Sequence, residues 1–587
     1  MAELNDRLEM RSPAGKAAER ERLGWVRQPA VRWLDPAILA REAVQVAVSY
    51  AFGRFADKRE LQGDPQAPLD RSGSDELWLD FLSDTGDGWE ATQTMAWLLA
   101  QPELPGPDGR ALRRGSLLLL GGDQVYPSAS AQAYEDRFIG PFAAASPPTG
   151  RSRELLAVPG NHDWYDGLSS FLRIFCRPES IGRKEIGDWR TNQTRSYWVL
   201  KLPRGWWLWA IDIQLDTYLD SRQLQYFAER GDELEPGDQV ILITAKPSWV
   251  KVEVGKPEPE SWRYLAYFER EMIAARGARL VLTLTGDLHH YSRYEPEAGA
   301  GEGPVRITAG GGGAYLSPTH TLPESVPLRA APDAQPVPYR RGEVYPRSEQ
   351  SRRLRWGILG LPFGTPRFGI AMGALYGLLG AAALGGLTAT GTGLAAGAEA
   401  GFSSFLDGVL GGALIVVVAL LALLLIAYTD LPGLLRVLTG LGEAALHGAL
   451  AVITVYLVLL PFPSSAPGLA LWLVALAACF VVGFLLGSFV FAAVILAIHV
   501  VRGPAAPRHT NEVFAGQAIA DYKNFLRLHF DGEGRLTVYP LGVERICQRW
   551  ELREVSGWRC FVPREGAPTA RVVDGPLTFE PPRRRES

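Results

Sequence analysis

The stretch LAVPGNHDWYDG, residues 156–167, places an amide, an imidazole and a carboxylate in consecutive positions, Asn161, His162 and Asp163, directly after an apolar run. Other apolar runs end the same way. Asp84 follows LWLDFLS, Asp123 follows SLLLLGG, and Asp287 and His289 follow RLVLTLTG. A single Asp behind a strand is ordinarily a turn residue or a helix cap. Several such ends in one domain, carrying carboxylate, amide oxygen and imidazole between them, supply what a divalent cation needs. The expected chemistry is therefore metal-assisted.

The elements that must gather these residues are short strands. Runs of four to eight apolar residues recur through 71–325, in LWLDFL, SLLLL, ELLAV, WWLWAI, QVILIT and RLVLTLT, with helix-length stretches such as GWEATQTMAWLLAQ between some of them. Such runs read as buried strands, and the alternation predicts an α/β layered domain. Functional groups in such sheets collect beyond the carboxyl ends of strands, where these clusters fall.

Three of the clusters, GGDQVYP, PGNHD and TGDLHHY, taken in order, resemble the GD, GNH[DE] and GHxH blocks of the calcineurin-like metallophosphoesterases. SDTGDG resembles the opening Asp block, and the Tyr three residues after Asp123 is similar to the purple acid phosphatase branch. The resemblance covers roughly residues 77–315 and implies a metallophosphoesterase-type β-sandwich flanked by helices. It also implies two divalent metals, Mn, Fe, Mg or Zn. Asp84 and His289 would bind the first, with Tyr126 completing that site; Asp123 would bridge; Asn161 and Asp287 would bind the second. His162 would contact the phosphate and help protonate the leaving oxygen, while metal-activated water hydrolyses a phosphomonoester or phosphodiester. Asp87 lies in the same turn as Asp84 and is the alternative ligand.

Two positions depart from that pattern. ITAKPSW puts Ala245, followed by Lys246, where the family has a metal-binding His, and Asp287 stands for the first His of GHxH. Either an oxygen-rich pair of metals persists, favouring a harder ion, or one metal remains and the Lys246 ammonium supplies charge beside the phosphate. Further candidates for substrate contact are Lys246, His290 and His320, the two histidines reading equally as buried structural residues. The glycines of ITAGGGGAYLSPTH read as a tight turn or a phosphate cradle.

The rest of the 587-residue chain is of another kind. No Lys or Arg occurs from Phe368 to Leu435, nor between Arg436 and Arg502. Four apolar spans are expected, near 368–390, 408–428, 442–462 and 469–500, the last long enough to be one helix or two. Arg340, Arg341, Arg347, Arg352, Arg353, Arg355 and Arg367 precede the first span, and Arg502 and Arg508 follow the last. By the positive-inside rule both soluble flanks are cytoplasmic, which requires an even number of crossings. The arginines also suit anionic lipid. Glu443 and His447 share a helix face, read as interfacial. The N-terminal residues lack an apolar signal segment, four cysteines form no CxxC pair, and a net charge of −4 gives no reason to expect nucleic acid.

The expected domains are a helical segment at 1–70, a phosphoesterase domain at 71–325, a Pro/Arg-rich linker at 326–367, a transmembrane domain at 368–501 and a C-terminal segment at 502–587. In the last, residues flanking DGEGR alternate apolar and polar and read as a hairpin docked on the phosphoesterase sheet. The functional expectation is a membrane-anchored phosphoesterase acting on a phosphorylated small molecule or a lipid-linked phosphate. The alternative is a catalytically silent sensor or scaffold for phosphoryl ligands.

Overall fold

A computed structural model describes residues 12–53, 62, 67–147, 149, 153–213, 218–391, 393–410, 412–503 and 507–582. The parts of the expected N-terminal helical segment at 1–11, 54–61 and 63–66 lie outside the described residues. The chain divides into two compact units. The first comprises Met1–Val31, Glu42–Ser351 and Ile519–Ser587, the second Arg32–Arg41 and Arg352–Ala518.

The first unit is built on two sheets, each of nine strands among the described residues. Strands used below are β1 (Leu77–Leu82), β2 (Leu117–Leu120), β3 (Arg153–Ala157), β4 (Trp198–Lys201), β5 (Trp206–Ile211), β6 (Gln239–Thr244), β7 (Arg279–Thr285), β8 (Tyr291–Pro296), β9 (Val305–Ala309), β10 (Val337–Tyr345), β11 (Lys523–Phe530) and β12 (Leu536–Val543). One sheet carries the order β12-β11-β1-β2-β3, the other β4-β5-β6-β7-β9-β8-β10. Within them β1-β2-β3 and β5-β6-β7-β9 run parallel, so the carboxyl ends in each set share an edge.

Side-chain alternation assigns the faces. Leu77, Leu79 and Phe81 of β1 meet Leu208, Ile241, Ile243 and Leu284 in the core between the sheets. Their neighbours Trp78 and Leu82 turn to the opposite face, against Met95, Leu98 and Leu99 of helix Trp89–Ala100. The outer face of the second sheet is covered likewise, by Phe227 and Leu265 of helices Ser221–Gly231 and Glu260–Phe268. Strands buried on both faces are apolar throughout, which is why they stand out as unbroken runs.

Residues 326–345, expected as a linker, are largely sheet instead: Ser325–Leu328 pairs with β10, and β10 pairs with β8. The prolines misled because Pro327 and Pro338 face each other at the sheet edge, where a missing N–H costs no central ladder bond. After the second unit the chain returns as β11, which pairs antiparallel with β1 from Leu526↔Phe81 to Phe530↔Leu77. The first strand of the domain is thus completed by a strand some 450 residues later.

The second unit is helical. Helices Pro366–Ala389, Gly433–Leu459 and the 35-residue run Gly468–Arg502 are long and apolar enough to cross a membrane. The run expected at 469–500 is one helix, with a π turn at Gly483–Gly487. Expected span 408–428 is a pair of helices, Phe402–Leu410 and Ala413–Tyr428, at 73° to one another; residue 411 lies outside the described residues. A Cβ added at Gly483 would lie 2.5 Å from the Tyr376 Cβ, so this glycine permits close helix approach. The side chains of Glu443 and His447 are 4% and 1% exposed, so both are interior to the bundle. His447 Nδ1 lies 2.8 Å from Tyr376 Oη.

Candidate metal centre

Asp84, Asp123 and Asp287 each follow a parallel strand, and each adopts a left-handed backbone, with φ of 61°, 53° and 67°. A non-glycine residue held there is strained, and several together mark a functional site. The strain has a use. It sets the Asp84 and Asp123 carboxylates beside backbone donors, the N–H groups of Asp287 and His162.

Tyr126 Oη is the meeting point. It lies 2.8 Å from Asp84 Oδ1, 3.3 Å from Asp123 Oδ2 and 3.1 Å from His289 Nε2. The Asp287 N–H donates to both Asp84 oxygens, at 3.2 and 3.0 Å. The His162 N–H donates to Asp123 Oδ1 at 2.8 Å, which ties the Asn161-His162 turn to the same carboxylate. Asp84, Asp123, Tyr126 and His289 are buried, whereas Asn161, His162 and Asp287 are partly accessible.

Close approach demands small residues around this cluster. A Cβ on Gly286 would stand 2.3 Å from Asp84 Oδ2, and one on Gly160 would stand 2.2 Å from Asp123 Oδ1. Gly310 also abuts Asp84, so the glycine run after β9 packs against the site as a tight turn.

Electrostatics follow from burial. The Asp84 carboxyl is held well above the usual carboxylate range by desolvation and then by the charge of Asp123. The Tyr126 phenol is pushed well above its ordinary value by burial and then by Asp123 and Asp84. Burial pushes His289 well below the usual imidazole range, so it stands neutral, as a metal ligand must.

The alternative ligand Asp87 is committed elsewhere, its carboxylate accepting from the N–H groups of Val31 at 2.6 Å and Tyr315 at 3.1 Å. Ala245 ends β6 with its methyl 3.1 Å from the Cβ position of Gly122, and Lys246 follows, partly exposed. Asn161 Nδ2 donates to Tyr165 Oη at 2.9 Å. His162 Nδ1 lies 2.5 Å from the Pro127 carbonyl, which can only accept, so Nδ1 carries the proton. His290 is buried, which lowers its imidazole to about 4. His320 is buried with Nδ1 2.8 Å from Ser351 Oγ.

Two residues to which the sequence assigned no role support the cluster. Asp163 is fully buried and accepts from the N–H groups of Asp123 at 2.8 Å and Gly160 at 2.9 Å and from the Tyr134 hydroxyl, so it locks two ligand loops together. Its place as fourth residue of GNHD was the available signal. Lys523, fully buried on β11, donates to the Ala314 carbonyl beside the site. Nothing local in the sequence announces it.

Residues 77–291 match the family model of the calcineurin-like phosphoesterases. They are a calcineurin-like phosphoesterase domain. The family uses a dinuclear metal centre. Among solved structures, the chain is similar to a purple acid phosphatase, PPD1, from yellow lupin (Lupinus luteus) seeds, at 13% identity and a TM-score of 0.26, over 48% of this chain and 49% of that one. It is likewise similar to PhoD, at 13% identity and a TM-score of 0.27, over 43% of this chain and 59% of that one. This chain thus spans about half the length of the first and under two thirds of the second. No curated protein matches in sequence.

The donors of the phosphoesterase domain fit a metal pair in kind: three carboxylates, an imidazole, a phenol and an amide. Asp84 and Asp123, two buried acids sharing one phenol, are an arrangement that a cation stabilises. Among the described residues no three His, Cys, Asp or Glu side chains are already closed to coordination spacing. The acids are gathered around Tyr126 instead.

Proposed function

We propose that the protein is a metal-dependent phosphoester hydrolase anchored in a membrane, with both soluble flanks cytoplasmic. The observation that carries the reading is the convergence of Asp84, Asp123 and His289 on Tyr126 Oη, from three strand ends of two sheets. Asp84, Tyr126 and His289 would hold one ion, Asn161 and Asp287 the other, and Asp123 both. Bound there, the ions supply charge neutralisation at the phosphoryl group and activation of water.

The chain's own residues do the rest. The Pro127 carbonyl fixes the His162 ring through Nδ1, aiming Nε2 for proton traffic with the substrate. Desolvation lowers the His162 imidazole, while Pro127 and the Asp287 and Glu42 carboxylates oppose that shift. An arriving phosphate adds negative charge, moving the ring toward its proton-donating form at the leaving oxygen.

Membrane anchorage is supported by the apolar helices and by strand pairing. Because β1 and β11 belong to one sheet, the chain must leave and return on one side of any bilayer it crosses. Three long helices make an odd number, so the bent pair 402–428 counts as the fourth crossing. A second reading, a sensor for phosphoryl ligands with a degenerate site, is favoured by Ala245, which offers no ligand at the end of β6. Metal analysis with aryl phosphate turnover separates the two. Wild type is expected to carry metal and turn over substrate, and Asp123→Asn to lose roughly a thousandfold or more in kcat along with metal. Folded wild type with neither metal nor turnover would decide for the sensor.

A further inference from the structure

Helix Pro36–Gly53 wears its polarity inside out. Two of its inward residues are polar, beside half-buried Ile38 and Val46: Glu42 is 9% exposed, and the Ser128 hydroxyl lies 3.3 Å from Glu42 Oε1 and 3.1 Å from Gln45 Oε1. Gln45 Nε2 also donates to the Tyr165 carbonyl at 3.4 Å. Its outward residues are apolar: Val44 is 65% and Val48 49% exposed, with Ala40, Ala43 and Ala47 exposed beside them. A helix in water shows the opposite pattern. Arg41, one turn before Val44 on the same stripe, is exposed and suits an anionic headgroup.

The polar side of this helix stands on the turn that operates the site. Ser128 follows Pro127, whose carbonyl holds His162, and Tyr165 is the residue bonded to Asn161. The helix is therefore a wall of the site with an apolar outer surface. The chain also carries helices 366–389, 433–459 and 468–502, each long and apolar enough to cross a bilayer.

We propose that the outer face of helix 36–53 rests in the interfacial layer of the bilayer, and that the site it walls acts on the phosphate of a lipid headgroup. The second half rests on the phosphoesterase reading; the first does not. With phosphatidic acid, one P–O bond forms from water and the P–O bond to glycerol breaks. The glycerol oxygen takes a proton, and phosphate and diacylglycerol result.

Two measurements on the full chain test this. In the first, Val44→Cys carries an environment-sensitive dye in nanodiscs with brominated phospholipid. Quenching of the dye is expected. A dye left unquenched overturns the docking, and if the particle also holds two chains, the occupant is a second copy.

In the second, Val44→Asp/Val48→Asp is compared with wild type on phosphatidylcholine vesicles doped with phosphatidic acid and on a soluble aryl phosphate in detergent. A loss of roughly tenfold or more is expected on vesicles, with the aryl phosphate rate within about twofold of wild type. Equal rates of variant and wild type on vesicles, or wild type active on aryl phosphate alone, overturn the lipid substrate while the phosphoesterase reading stands. Wild type inactive on both substrates removes the phosphoesterase reading and the lipid substrate with it. The quenching then decides the docking by itself.

Discussion

His162 is the residue on which chemistry and geometry separate most cleanly. Its backbone N–H is bonded to Asp123, while its ring Nδ1 is held by the Pro127 carbonyl. His162→Ala is therefore expected to keep the metal content and lose roughly 10²–10⁴ in kcat, with the largest loss on substrates whose leaving oxygen most needs a proton. A variant that loses metal in parallel would make His162 a support of the ligand loop rather than a proton donor. Lys523 is a second test at this scale. Burial, opposed by Asp87, Asp521 and Asp84, lowers its ammonium from 10.5 to about 8. Between those values the unfolded chain binds a proton that the folded chain has released, so stability rises with pH across that window. Relative to Lys523→Met, wild type is expected to gain roughly 3 kcal/mol from below pH 8 to above pH 10.5, read from melts in detergent. A difference that stays constant with pH contradicts the buried ammonium.

At the scale of elements, the decisive joint is β11 against β1. Arg527 and Asp80 are both fully buried there, with Nε to Oδ1 at 2.7 Å, and Arg527 also donates to the Leu112 carbonyl at 2.9 Å. Asp80 accepts a further bond from the Gly115 N–H at 3.0 Å. Removing one partner strands a buried charge, so Arg527→Met is expected to cost about 3–5 kcal/mol. Asp80→Leu/Arg527→Met should recover much of that loss, because both charges leave together. Denaturation of the three chains checks it; additive losses would show that the pair does not act as a unit. The site depends on this joint, since Asp84 follows β1 directly. The strands themselves were legible in the sequence because both their faces are buried. Ser325–Leu328 and β10 were not, because the prolines and arginines that suit an exposed edge also suit a linker.

For the whole molecule, the pairing of β1 with β11 makes the helical unit an insertion between strands of one sheet. A reporter joined after residue 587 is expected on the cytoplasmic side, and a tag inserted between Phe462 and Gly468 on the opposite side. Both reporters on one side would refute the fourth crossing by the bent pair.

By itself the sequence named the candidate ligands and the loops that carry them. Metal chemistry needs particular side chains, and GGDQVYP, PGNHD and TGDLHHY name them wherever the strands go. It also determined the apolar helices, since a charge-free stretch of membrane length has few other uses. Only the tertiary structure set Asp84 rather than Asp87 beside Tyr126, brought Lys523 to the cluster, and turned apolar residues of helix 36–53 outward. Those outcomes depend on which backbone donors and buried faces meet across hundreds of residues, and no local pattern encodes a meeting at that distance.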